Sequence, residues 1–327
     1  MFERYRRLRQ TPALRRLVAE ARLEASDLIL PLFVTEVDDR PTPIASMPGV
    51  MRWPLGSVAG VAREAEEAGV GAVILFGIPA KKDARGTEAD AEEGVIQRAV
   101  RELRREGFGG VVITDVCLCE YTDHGHCGLL GDNGEILNDV SLRRLAETAV
   151  SHARAGVDIV APSAMLDGMV RAIRGALDGA GFDQTPILSY SAKYASSYYG
   201  PFRDAADGAP RFGDRRSHQM DPANGREAML EHGADVAEGA DILMVKPGLA
   251  YLDVVRRTRT LYPHHPLAAY NVSGEYSMVK AASANGWIDE RSVVLETLLA
   301  FRRAGADVVI TYHALDAARW LREKEAS

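Results

Sequence analysis

Glu238-Gly239-Ala240-Asp241-Ile242-Leu243-Met244-Val245-Lys246-Pro247 holds a helix end, a tight turn and a strand with a charge at its tip. A glycine just past a helix takes the left-handed conformation that other residues resist. The next four apolar residues read as a strand buried on both faces. Lysine is rarely buried without a partner, so its place at the end of such a strand is unusual. In a pocket, desolvation lowers the lysine pKa and leaves a free amine, which can attack a carbonyl and form a Schiff base. The competing reading is a strand-end lysine whose ammonium reaches water along its own stem.

The same joint recurs along the chain. Glu67-Ala68-Gly69-Val70-Gly71 leads into Ala72-Val73-Ile74, Arg154-Ala155-Gly156-Val157-Asp158 into Ile159-Val160, and Arg303-Ala304-Gly305-Ala306-Asp307 into Val308-Val309-Ile310. Strand-like runs lie at 28–34, 72–77, 111–117, 158–163, 186–191, 242–247, 267–272 and 308–313. Helix-period stretches separate most of them; one is the stripe Leu142, Leu145, Ala146, Ala149, Val150 and Ala153 after a cap at Asn138 or Asp139. Eight repeats of a βα unit predict an α/β fold of the (β/α)8 TIM-barrel type. A doubly wound open sheet is the alternative, weakened by the absence of a Gly-x-Gly-x-x-Gly turn after the first strand.

Residues 1–26 precede the first strand and read as an N-terminal arm, packed on another subunit or frayed, with 27–327 forming the barrel. Catalytic groups of such barrels sit at the C-terminal strand ends, where Lys246 falls. Two connections at that end are long: 78–89 and 194–224. The second carries Tyr198, Tyr199, Phe202, Arg203, Arg211, Arg215 and Arg216 and reads as an active-site lid, against the alternative of a disordered insertion.

The chain has 327 residues, 46% hydrophobic and 26% charged, as in ordinary globular proteins. A net charge of -7 gives no reason to expect nucleic acid or an anionic membrane as a partner. No apolar window is long enough for a transmembrane helix, and the arginine-rich start lacks the apolar core of a signal peptide. The three cysteines, Cys117, Cys119 and Cys127, are odd in number and tightly clustered. That argues against a disulfide framework and for metal binding in a reducing compartment; the expected location is cytoplasmic.

Three constellations carry chemistry. Asp115-Val116-Cys117-Leu118-Cys119-Glu120-Tyr121-Thr122-Asp123-His124-Gly125-His126-Cys127-Gly128 begins as the third strand ends. Thiolates at this density favour zinc, as an open three-ligand site or, with His124 or His126, a closed four-ligand one; buried unliganded thiols are the alternative. A second lysine, Lys193, ends the fifth strand beside Lys246. Ser189, Ser191 and Lys193 share one parity, Met244 and Lys246 another; if both sets face the axis, the two ammonium groups depress each other's pKa. Arg203 and Arg215 on the lid can clamp a carboxylate, and Ser273 and Tyr312 follow the seventh and eighth strands.

These residues resemble the porphobilinogen synthase (5-aminolevulinate dehydratase) family over essentially the whole chain, through DVCLCEYTDHGHCG, SYSAKYASSYYGPFRDA, ILMVKPGLAYLDVV and NVSGEYSM. The resemblance implies a barrel with an N-terminal arm, homo-octamer assembly, and condensation of two 5-aminolevulinate molecules to porphobilinogen with loss of two waters in tetrapyrrole (heme) biosynthesis. It implies Schiff bases on Lys246 for the first-bound substrate and on Lys193 for the second. Cys117, Cys119 and Cys127 match the zinc-using branch. Arg203, Arg215 and Gln219 match binders of one substrate carboxylate, Ser273 and Tyr312 those of the other, and Asp115 and Ser163 polar residues near the reacting amines. Glu231 resembles the glutamate of an allosteric magnesium site. Glu120 and Asp123 depart from the family pattern and add negative charge beside the thiols. A Schiff-base aldolase on the same barrel needs one lysine and no thiol cluster. A non-catalytic zinc scaffold does not need Lys193 and Lys246 to face one pocket.

Overall fold

The computed structural model describes residues 2–325. Eight parallel strands form the wall: β1 Leu28–Thr35, β2 Ala72–Ile78, β3 Val111–Val116, β4 Ile159–Pro162, β5 Leu188–Lys193, β6 Ile242–Lys246, β7 Leu267–Asn271 and β8 Val308–Thr311. Their hydrogen-bonded order runs β4-β3-β2-β1-β8-β7-β6-β5. The two ends of this path meet at one parallel bridge, Val160 with Ile187, which brings the barrel close to closure. All eight apolar runs of the sequence are strands.

Their continuous apolar character comes from burial on both faces. Ile29, Phe33, Ile74, Ile113, Met244 and Ile310 fill the barrel interior. Leu28, Leu30, Val73, Leu75, Val112, Leu243, Val245 and Val309 pack outward against the helices.

The repeated joints do more than turn the chain. The helices Asn138–Ala155, Glu227–Glu238 and Glu290–Ala304 end at Gly156, Gly239 and Gly305, with φ of 97°, 105° and 120°, where a side chain would be strained. The aspartate two positions later then accepts a backbone N–H from the neighbouring strand or its approach. Asp158 takes Val112 N at 2.7 Å, Asp241 takes Ile187 N at 2.8 Å, and Asp307 takes Leu267 N at 2.8 Å. Arg104 bonds both Asp158 (2.5 Å) and Gly156 O (3.1 Å). Arg259 does the same with Asp307 and Gly305 O. The joints therefore fasten the N-terminal end of the barrel.

Three features depart from the sequence reading. The helix beginning at Asn138 has no side-chain cap. Asn138 instead brackets Asp167, donating to its carbonyl (3.0 Å) and accepting from its N–H (2.9 Å). A short ribbon, Thr42–Pro43 against Met51–Pro54, extends the sheet beside β1 and has no counterpart among the expected strands. It is too short, and too rich in proline, to read as strand.

The third departure is in β5. Ser189 pairs with Leu243 but Ala192 with Val245, so β5 has one residue more than β6 over this stretch. Such a bulge reverses the facing of the residues beyond it. Ser189 points outward to Asp235 (2.6 Å), whereas Tyr190 lies in the barrel interior. The shared parity of Ser189, Ser191 and Lys193 therefore does not place all three on one face, and the bulge is what returns Lys193 to the pocket.

The first residues form a 3-10 turn, Tyr5–Arg9, and a short helix, Pro12–Leu17. Phe2, Tyr5, Leu8, Leu17 and Val18 are exposed there. No helix among the described residues is long and apolar enough to cross a membrane.

Candidate active site and metal site

Lys193 and Lys246 are register partners at the ends of β5 and β6. Both are 5% exposed. Lys193 Nζ donates to Ser163 O (2.5 Å). Lys246 Nζ sits among aromatic faces, 4.2 Å from the ring centre of Tyr270, 4.9 Å from Tyr190, 5.1 Å from Phe202 and 5.4 Å from Tyr199. Rings attract a cation but do not solvate it as water does. Burial, then the charge of Lys193, pushes the Lys246 pKa down to about 7. An amine of that pKa is half neutral near pH 7, which is what a nucleophile needs.

Asp115 and Ser163 line the same pocket as the lysines. Ser163 donates to Asp115 Oδ2 at 3.0 Å, and Asp115 Oδ1 is buried without a protein partner. Burial and the neighbouring Glu120 push the Asp115 pKa up. Glu120 is raised to about 8 by burial and by Cys119. A protonated carboxyl beside a neutral amine can give and take protons without stranding charge. The remaining free volume is about 10 Å³, under the side chains of Tyr199 and Phe202. That is room for about one water at most.

The three cysteines are free and buried. Cys117 Sγ and Cys119 Sγ are 3.3 Å apart, and all three sulfurs lie within 4.8 Å of one another. Burial pushes the Cys117 thiol up. Hydrogen bonds from Cys117 and Cys119, with help from the Arg215 charge, hold Cys127 well below the usual thiol range. An all-sulfur donor set that converges in a buried site fits a soft or borderline cation such as zinc.

Neither histidine joins this group among the described residues. His124 Nδ1 accepts from His126 N (3.1 Å) and its Nε2 faces Ala84 O (3.3 Å). His126 Nε2 faces Phe212 O at 3.1 Å. Three ligands, not four, is the reading this geometry favours.

The connection after β5 contains a 3-10 turn, Ser197–Tyr199, and a short helix, Gly200–Ala205. Tyr199 donates to the carbonyl of Lys246 at 3.1 Å. Ser273 accepts from Phe202 N (3.0 Å) and donates to Tyr198 O (3.3 Å), so here it holds the start of this segment. Arg215 is buried, lines the lysine pocket and donates to Gly125 O (3.0 Å) and Gly208 O (2.6 Å). Arg203 is half-buried, its pKa lowered by burial and by the charge of Arg215. Gln219 is buried with neither amide atom partnered.

The structure thus brings Asp115, Cys119, Ser163, Lys193, Arg215 and Lys246 to one pocket. It does not bring all the expected residues there. Arg203 lines a second cavity beside Arg52, and Gln219 and Glu231 line a larger one of about 780 Å³. Tyr312 bonds Tyr270 (3.1 Å), one ring removed from Lys246. Glu231 lies on the helix Glu227–Glu238, its pKa raised to about 7 by burial and by Asp235, Asp167, Glu227 and Glu238.

Sequence reasoning missed Tyr190 and Tyr270, the rings around Lys246. The available signal was an aromatic residue three and one positions before the ends of two apolar strands. It missed Glu275 too, which has no such signal. Its carboxylate accepts Leu249 N (3.0 Å), Val272 N (3.1 Å) and Asn271 Nδ2 (2.9 Å), tying the loop after Lys246 to the loop before Ser273.

Fold and site together define an α/β-barrel enzyme with paired buried lysines on adjacent strand ends and a thiol cluster at the same rim. The family model for delta-aminolevulinic acid dehydratase matches residues 2–320. A delta-aminolevulinic acid dehydratase of Synechocystis sp. is 55% identical, covering 98% of each chain. One of Archaeoglobus fulgidus is 56% identical over the same shares. The crystal structure of delta-aminolevulinic acid dehydratase (porphobilinogen synthase) from Toxoplasma gondii, in complex with the reaction product porphobilinogen, is 45% identical. It superposes with a TM-score of 0.96 over 99% of this chain and 92% of that one. The chain belongs to the delta-aminolevulinic acid dehydratase family.

Proposed function

We propose that the protein condenses two molecules of 5-aminolevulinate to porphobilinogen with release of two waters, a lyase step of porphyrin and heme biosynthesis. The observation that carries this reading is the pairing of Lys193 with Lys246 in one closed, aromatic-walled pocket. The neutral amine of Lys246 attacks the ketone of one substrate; its oxygen leaves as water and a Schiff base remains. Lys193 does the same for the second substrate. Asp115 and Ser163 move protons between the amines and the departing oxygens. Arg203, Arg215 and Gln219 bind one substrate carboxylate, and Ser273 and Tyr312 the other, once Phe202 and the lid shift to admit substrate.

Cys117, Cys119 and Cys127 would hold zinc, and a cation bound by these three thiols would supply Lewis acidity toward a substrate oxygen or a water. Glu231, among carboxylates at a cavity of about 320 Å³, is the candidate for an allosteric magnesium site. The exposed apolar residues of the arm suit contact with other copies in a homo-octamer, and the location is cytoplasmic.

The test is porphobilinogen formation with and without a strong chelator. Activity lost on chelation and restored by zinc is expected. Full activity in a verified zinc-free preparation would refute the role given to the cysteines.

A further inference from the structure

The tip of the cysteine loop and the outer part of the lid are joined residue by residue. His124 O accepts from Arg211 N at 3.1 Å. Gly125 O accepts from Arg215 Nη2 at 3.0 Å. Gly125 has a φ of 72°, and a Cβ there would lie 2.3 Å from Ala209 O, so the two backbones touch. The His126 ring meets Phe212 twice, through Nε2 to its carbonyl (3.1 Å) and ring to ring at 4.8 Å. Because a carbonyl only accepts, Nε2 carries the proton and donates.

Nearer its start the lid is anchored elsewhere. Arg52 donates to Asp204 O and Ala205 O, and Lys82 to Asp207. Across residues 208–218, the hydrogen bonds that leave the lid run to His124, Gly125 and His126 among the described residues. His126 precedes Cys127 directly, and its own backbone is fixed by Thr122 Oγ1 on its carbonyl (3.0 Å) and by His124 Nδ1 on its N–H (3.1 Å).

We propose that His126 is a positioning residue that couples cation occupancy of the Cys117/Cys119/Cys127 cluster to the seating of lid residues 208–216. A cation that draws the three sulfurs to one centre fixes the loop that presents the two carbonyls and the imidazole. The lid then docks with Arg215 over the lysine pocket. Coupling of this kind is reciprocal, so loosening the lid weakens the cation by the same factor. The inference rests on the reading of the cluster as a cation site.

Trypsin reports it directly, because Arg211 and Arg216 on the lid are exposed cleavage sites. The experiment uses the full chain without substrate, loaded with zinc or chelated, with cobalt(II)–thiolate absorption as a separate reading of the cluster. Zinc should slow cleavage after Arg211 and Arg216 in the wild type by about tenfold. His126→Ala should lose that zinc dependence while keeping the cobalt absorption. His126→Gln, whose amide can reach the Phe212 carbonyl, should restore it. Phe212→Ala, on the lid and outside the sulfur cluster, should lower both the protection and the zinc affinity, and it decides the matter if His126→Ala does not fold. Equal zinc protection in wild type and both alanine variants overturns the coupling. So does cobalt-loaded wild type whose cleavage ignores the metal. Wild type with no cobalt–thiolate absorption overturns the cation reading itself and the coupling with it.

Discussion

The two ends of the barrel use the same residue types in opposite ways. At the N-terminal end, Asp158 and Asp307 each accept a strand N–H and an arginine, and those arginines close on glycine carbonyls as well. At the C-terminal end, Asp115 Oδ1, the Nε atoms of Arg203 and Arg215, both amide atoms of Gln219 and Tyr190 OH are buried with no protein partner. Buried polar groups are nearly always satisfied, so each exception asks for an explanation. Saturated groups hold the fold. Unsaturated ones, with Asp115, Arg215 and Tyr190 around the two lysines and Arg203 and Gln219 at two other cavities, are arranged for a ligand that brings its own charges and hydrogen bonds.

Substitutions should separate the two ends. Lys246→Met should lower porphobilinogen formation by ~10⁴-fold or more. Its thermal midpoint should hold or rise, since a buried amine is removed. Cys119→Ser should cost about 10²-fold in kcat and most of the zinc content, read by metal analysis. Gln219→Leu should raise KM for 5-aminolevulinate by roughly tenfold without loss of stability in urea, because its amide serves no protein partner. Asp307→Asn should do the reverse: a stability loss of about 1–2 kcal/mol in urea, with activity per folded molecule changed less than about twofold. An Asp307 variant with a kinetic defect and normal stability would break the contrast between the ends.

The fold was legible because eight strands buried on both faces cannot avoid being apolar, and because glycine takes the left-handed turn where the helices before Gly156, Gly239 and Gly305 end. The aspartates of the joints stood in the same motifs, but their partners lie one strand away and leave no local trace. Lys246 and the cysteines were legible as chemistry out of place in an apolar context. The facing of Lys193 was not, since it depends on a one-residue bulge that spacing cannot reveal. The rings around Lys246, the Glu275 bracket and the contacts of His124 and His126 with the lid are tertiary. They join stretches tens of residues apart whose local patterns carry no sign of each other.

The central claim, that Lys246 is a free amine poised to attack a ketone, is tested most directly by borohydride trapping with 5-aminolevulinate across pH, with peptide mapping of the adduct. Lys246 is protonated and unreactive below its pKa and neutral above it, so the adduct should form increasingly as pH rises, with a midpoint near 7. An unmodified Lys246 in active enzyme, or an adduct whose midpoint lies near 10 as for an ordinary lysine, would contradict the account.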